Sequence, residues 1–130
     1  MKFDTNKFEN DKYFVGRYDD KPSGAPNWFI GDLDFFDADD PCRTNKVEIM
    51  YREHKKGDSV APHYHQQKVE IMIVLEGKLK YNINGKDVFL EKGNFLFVDT
   101  NNILFGEFLE DSKIFAIHAP SIISDKVVVE

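Results

Sequence analysis

The stretch that decides the fold runs from Gly57 to Gly77 and reads GDSVAPHYHQQKVEIMIVLEG. Its second half, Val69 to Leu75, is nearly all apolar and rich in β-branched residues. This pattern is typical of a strand buried on both faces, and the run is short for a helix. Before it stand His63 and His65, and residues two apart on a strand project from the same face. The stretch therefore predicts two strands and a pair of imidazoles that can reach one point.

Glu70 is the candidate third member of this site. It follows His65 by five residues, and a tight connection across Gln66-Gln67-Lys68 would bring it alongside. An acid within an apolar strand is costly to bury unless a metal ion or the histidines pair with it. Two imidazole nitrogens and one carboxylate oxygen form the facial triad used by non-haem iron and tolerated by other first-row metals. The predicted ligands of a divalent ion are therefore His63, His65 and Glu70, with Fe, Mn, Ni and Zn all open.

The rest of the second half of the chain also reads as short strands separated by turns. Besides the two strands above, the pattern predicts strands at residues 47–52, 78–83, 86–90, 95–98, 103–109 and 113–118. Asn84-Gly85 is a strong signal for a hairpin, because glycine tolerates the positive φ of a type I′ turn. Short strands at this spacing, with no convincing helical pattern, indicate an all-β small barrel or double sheet.

At this point the residues carry a family resemblance. Gly57, His63, His65, Glu70 and Gly77 reproduce the first sequence motif of the cupin superfamily at every defining position and spacing. The resemblance, which extends from about residue 47 to the end, implies an all-β, single-domain, double-stranded β-helix (jelly-roll) barrel. It also implies a metal site inside the barrel and a homodimer.

The second cupin motif is degenerate. Gly93 is in place, but Asp99 and Asn101 stand where the family has proline and glycine, and Leu104 stands where it has a histidine that serves as the fourth metal ligand. Leucine cannot coordinate a metal ion. His118 is a candidate substitute on a late strand, and the amide oxygens at residues 101 and 102 are weaker candidates.

The first candidate function is a metal site that binds or acts on a small molecule. Two other functions stay open beside it. Some cupins bind no metal and isomerise or epimerise nucleotide-linked sugars, and here His63 or His65 would be the acid or base because imidazole titrates near neutral pH. Tyr51, Tyr64 and Tyr81 are the tyrosines that such a site could add. The third function is a ligand-binding module without turnover.

Composition limits the partners. Lys plus Arg number 17 against 23 Asp plus Glu in 130 residues, a formal charge of -6, so the basic surface that nucleic acid or an anionic membrane requires is not expected. Cys42 is the single cysteine, which excludes a disulfide framework and fits a cytoplasmic protein. We expect small-molecule ligands, with neither nucleic acid nor membrane as a partner.

We divide the chain into an N-terminal arm at residues 1–26, with a possible strand, and a barrel domain at 27–130. The aromatic residues of the arm need an apolar contact, either the barrel's own sheet or a second subunit, and the arm is the candidate dimer interface. His54 lies among charged residues and is expected to be exposed. Core packing is expected for five phenylalanines: Phe95, Phe97, Phe105, Phe108 and Phe115.

Overall fold

The computed structural model describes residues 13–20 and 26–130. In this part of the chain there are ten strands and no helix. The strands are β1 (Asn27–Ile30), β2 (Glu48–His54), β3 (Ser59–His65), β4 (Val69–Glu76), β5 (Lys78–Ile83), β6 (Lys86–Glu91), β7 (Phe95–Val98), β8 (Leu104–Phe108), β9 (Ser112–Ala119) and β10 (Lys126–Val128). They form two antiparallel five-stranded sheets in the orders β1-β2-β9-β4-β7 and β10-β3-β8-β5-β6. The all-β double-sheet prediction is confirmed.

One hydrophobic cluster joins the two sheets. It consists of buried residues from β4, β5, β6, β8 and β9: Met72, Val74, Leu79, Tyr81, Leu90, Phe108 and Ile114. Leu79 and Phe108 are essentially inaccessible to solvent, and each such side chain contributes about 1.5–3 kcal/mol through burial. Leu79 and Phe108 lie near the Ser59 end of β3, away from the histidines at its other end. Three members of the cluster also line the cavity described below: Met72, Tyr81 and Ile114.

Two tight turns follow from glycine chemistry. Asn84 and Gly85 have φ values of 51° and 90°, and the strands they join pair Ile83 with Lys86, which is the geometry that a type I′ hairpin requires. Gly77 has a φ of 98°, and a β-carbon there would overlap the Ser112 side chain. The glycine that closes the first motif is thus needed for both its backbone conformation and its close contact with β9.

The structure overturns two expectations about burial. His54 is 9% exposed and its ring stacks on Phe108 with centroids 3.9 Å apart, because β2 directs it between the sheets. Phe95 and Phe97 on the edge strand β7 are 72% and 52% exposed, and Phe105 is exposed too. Core packing holds for Phe108 but is wrong for these three, which lie on the outer surface of the sheets.

The arm can be followed only in part. Tyr18 packs against Tyr51 and Phe115 with ring centroids 4.9 Å away in each case, so this aromatic residue covers the outer face of the chain's own sheet. Tyr13 and Phe14 are exposed. The described part of the arm, residues 13–20, contains no strand, and residues 1–12 and 21–25 lie outside the described residues. The homodimer, the arm as its interface and the boundary at residue 26 stay predictions. In the described part, no helix is long and apolar enough to cross a membrane.

Candidate metal centre

A cavity of about 700 Å³ opens between the two sheets. On β2 it is lined by alternate residues, from Glu48 through Met50 and Arg52 to His54. The opposite face of β2, with Tyr51, packs under the arm. The alternation that predicted this strand is therefore confirmed, but its more polar face is the one that turns into the barrel.

His63, His65 and Glu70 come together at one end of this cavity. One potential ligand atom from each lies within 4.8 Å of the other two, and His63 Nε2 is 4.0 Å from Glu70 Oε2. β3 supplies the histidines from one sheet and β4 supplies the acid from the other. Because the connection at residues 66–68 is short, the two sheets approach each other here, as the spacing predicted.

Several buried polar atoms of this group have no hydrogen-bond partner: both ring nitrogens of His65 and Oε2 of Glu70. A buried polar atom without a partner destabilises a protein by about 1–3 kcal/mol. His63 differs, since its Nδ1 lies 2.8 Å from the Ala61 carbonyl. An N–H on Nδ1 donates to that carbonyl and leaves a lone pair on Nε2 facing Glu70. The unpartnered atoms are those that a divalent metal ion would use, so the donor set fits such an ion.

A second group of buried charged residues is hydrogen-bonded to Glu70. The register across β2, β9 and β4 places His118 opposite both Glu48 and Glu70. His118 Nδ1 is 2.9 Å from Glu48 Oε1, and its Nε2 is 3.1 Å from Glu70 Oε1. Glu48 also accepts hydrogen bonds from Lys68 and from the Ser121 hydroxyl. The result is one continuous buried network that ends at the candidate metal ligand.

The network shifts the pKa values of its members. Burial alone would raise the pKa of Glu48, but hydrogen bonds from His118, Lys68 and Ser121 outweigh burial and lower it to about 2. Burial alone would lower the pKa of His118, yet its hydrogen bonds to the carboxylates of Glu48 and Glu70 raise it. His118 therefore favours its charged form, in which both nitrogens donate.

The pKa of His65 is shifted downward, in the opposite direction to that of His118. Burial lowers its pKa to about 4, against the attraction of the Glu70 carboxylate, and the nearby His118 and His63 add to the lowering. The imidazole is therefore neutral at pH 7, which is the form that binds a metal ion.

This shift predicts acid sensitivity in protein kept free of metal by a chelator. The pKa of His65 is about 6.5 in the unfolded chain and about 4 in the folded one, so its contribution to stability is complete above pH 6.5 and is lost as the pH falls toward 4. His54, whose pKa is also lowered by burial, adds to the loss. His118, whose pKa is raised in the folded protein, opposes it between pH 7 and 6, and its contribution is complete below pH 6. Urea unfolding at pH 7, 6 and 5 should show falling stability, with a weaker slope for His65→Gln; equal slopes would contradict the assignment.

Among the other predicted site residues, some line the cavity and some do not. Tyr51 and Tyr64 do not line the cavity, since Tyr51 packs beneath the arm and Tyr64 alternates with the two histidines. Tyr81 does line it and is buried; burial, followed by the negative charge of Glu70, raises its pKa. Leu104 lies directly opposite His63 across β3 and β8. His118 is hydrogen-bonded to Glu70 and stands outside the group of three.

Sequence reasoning missed Glu48, Lys68 and Arg52 as parts of the cavity. The available signal was the charged face of the strand at residues 47–52, which is unusual for a strand paired on both sides. Lys68 gave a second signal, because it immediately precedes the apolar strand that carries Glu70.

Two antiparallel sheets that enclose a histidine and glutamate site define a double-stranded β-helix protein. Residues 50–103 match the Cupin domain family, and over these residues the predicted resemblance to the cupin superfamily is confirmed. A stretch of 55 residues is 33% identical to quercetin 2,3-dioxygenase from Bacillus subtilis (strain 168), covering 42% of this chain and 16% of that enzyme. The chain thus spans a small fraction of that relative.

Solved structures share the fold. A protein with a double-stranded β-helix domain from Klebsiella pneumoniae has a TM-score of 0.60 at 19% identity, over 67% of this chain and 77% of the other. The Streptomyces nucleoside dehydratase Pac13 has a TM-score of 0.61 at 12% identity, over 67% and 71%. At these identities the similarity establishes the architecture alone.

Proposed function

We propose that the barrel binds one divalent first-row transition metal ion through His63, His65 and Glu70, and that this site binds or acts on a small molecule. The observation that carries the proposal is the set of buried, unpartnered ligand atoms on His65 and Glu70, beside a His63 ring fixed by the Ala61 carbonyl. A metal ion would satisfy all three residues at once. Fe, Mn, Ni and Zn each accept this donor set.

The chain's own residues set the chemistry of such a site. A bound ion supplies Lewis acidity, with coordination positions left for the small molecule because Leu104 offers no fourth ligand. His118 holds Glu70 by a hydrogen bond, and the neutral His65 presents its nitrogen without losing a proton. Tyr81 and the methionines that line the cavity exclude water from one side of the bound molecule.

Metal content tests the proposal. We expect about one equivalent of metal in untagged wild-type protein purified without chelator, and a loss to near zero in His65→Ala, because two remaining ligands hold such ions weakly. His54→Gln is the matched control, since His54 is buried and lines the same cavity outside the group of three. Elemental analysis provides the measurement. Absence of metal from the wild type, even after incubation with Fe, Mn, Ni and Zn salts, would overturn the proposal.

That negative result would favour the second candidate, a metal-free isomerase or epimerase acting on a sugar or nucleotide-sugar. One observation supports it: both ring nitrogens of the buried His65 are without a hydrogen-bond partner, so a lone pair is available to accept a proton from a bound molecule. Its activity would survive chelation and be lost in His65→Ala. A bound ligand without any turnover would instead identify a non-enzymatic binding module.

A further inference from the structure

Arg52 is a partly buried cation that does not belong to the network described above. The chain has three arginines. Arg17 pairs with Asp19 at 2.9 Å and Arg43 pairs with Asp32 at 3.0 Å. Arg52 lines the cavity, its Nε is buried without a hydrogen-bond partner, and it forms no ion pair within 4.0 Å with any residue that the structure describes.

The neighbouring acid, Asp58, does not form the ion pair that Arg52 lacks. Asp58 lines the same cavity, but its Oδ2 is engaged by His54 Nδ1 and by the Lys55 backbone N–H, each at 3.1 Å. Two other cations line the cavity. Lys68 is neutralised by Glu48, and Lys126 lies opposite His65 across β10 and β3. An unpaired guanidinium at a partly buried position is destabilising unless an anion joins it, so the geometry of the cavity calls for an external negative group.

The strand register shows where this group would lie relative to the candidate metal centre. Across β2, β9 and β4, one layer consists of Glu48, His118 and Glu70, and the next consists of Met50, Ala116 and Met72. Arg52 belongs to the layer after that, with Ile114 and Val74. Four residues along a strand span roughly 13 Å. The cavity therefore has a metal-binding end, an apolar middle and a cationic end.

We propose that Arg52 binds the carboxylate of a small organic acid, whose apolar body contacts Met50 and Met72 and whose far end reaches His63, His65 and Glu70. The last contact rests on the proposed metal site; the carboxylate contact does not. A single guanidinium matches a monovalent, planar carboxylate in charge and in its paired N–H donors. A phosphate dianion would leave one charge uncompensated in the same place.

The test compares acids with their uncharged amides on ¹⁵N-labelled protein. With three arginines in the chain, the side-chain Nε–H signals are few, and that of Arg52 is assigned by its loss in Arg52→Gln. The probe pairs are acetate and acetamide, benzoate and benzamide, and 4-hydroxycinnamate and its amide. We expect the acids to shift the Arg52 signal with about tenfold tighter binding than the amides. No preference for the acid in any of the three pairs would overturn the proposal.

Variants separate the charge from the metal site. Binding to the variants is followed through the backbone amide signals, because Arg52→Gln and Arg52→Lys have no Arg52 Nε–H. Arg52→Gln should lose the preference for acids, Arg52→Lys should keep part of it through charge alone, and the surface control Arg17→Gln should keep all of it. Retention of the full preference in Arg52→Gln would contradict the role of Arg52. Elemental analysis of Arg52→Gln should give the wild-type metal content, so loss of acid binding with metal retained reports on Arg52 alone. If the wild type binds the acids but takes up no metal from Fe, Mn, Ni or Zn salts, the metal proposal is overturned and the proposal for Arg52 stands.

Discussion

Replacing Lys68 with methionine is expected to lower the free energy of unfolding by about 3–5 kcal/mol, because it removes one of the two cationic partners of the buried Glu48 carboxylate, Lys68 and His118. Glu48 is 3% exposed and Lys68 is 7% exposed, and the ammonium group hydrogen-bonds directly to the carboxylate. His118 and Ser121 also donate to Glu48, and these hydrogen bonds together with Lys68 lower its pKa, so the carboxylate of the wild type is ionised at pH 7. Urea unfolding at pH 7 measures the effect.

Two further variants separate the ion pair from packing. Lys68→Met combined with Glu48→Gln should recover much of the lost stability, because the double variant has no isolated charge. The exposed ion pair of Lys78 with Glu110, 3.9 Å long, is the matched control, and Lys78→Met should change stability by less than about 0.5 kcal/mol. A double variant as unstable as Lys68→Met alone would show that packing of the lysine side chain, and not the charge, is responsible.

The fold could be predicted from local patterns because each strand and turn carries its own signal. Asn84-Gly85 specifies a hairpin whatever the surrounding structure, and Val69 to Leu75 is apolar on both faces, as a strand between two neighbours requires. The grouping of the three candidate metal ligands could be predicted for the same reason. Alternation along β3 and one short connection bring its ligands together, so no long-range pairing had to be known.

The hydrogen-bonded network that joins His118, Glu48 and Glu70 depends on long-range strand register and could not be predicted. His118 meets Glu48 and Glu70 only because β9 lies between β2 and β4. Alternation along β2 shows two faces but does not say which one turns inward, and here the arm's Tyr18 covers the face that carries Tyr51. The exposed phenylalanines of β7 have a similar cause, since only the sheet order makes β7 an edge strand.

His118→Leu is expected to weaken metal binding by about 10- to 100-fold, the range typical for loss of a hydrogen bond that orients a ligand. His118 Nε2 lies 3.1 Å from Glu70 Oε1, so its N–H holds one carboxylate oxygen and turns the unpartnered Oε2 toward the histidines. Leucine fills a similar volume without donating. Competition with a chromogenic chelator gives the dissociation constants, and the value for His54→Gln should equal that of the wild type.

The size of the loss also distinguishes a positioning residue from a ligand. If His118 acts through Glu70, His118→Gln should restore part of the affinity, because an amide N–H can still donate to the carboxylate. If His118 were itself a ligand in place of the histidine replaced by Leu104, His118→Leu would lose metal as completely as His65→Ala. Unchanged affinity in His118→Leu would contradict both roles. The positioning role is expected, since both nitrogens of His118 already lie within hydrogen-bond distance of carboxylates and neither is free to coordinate an ion.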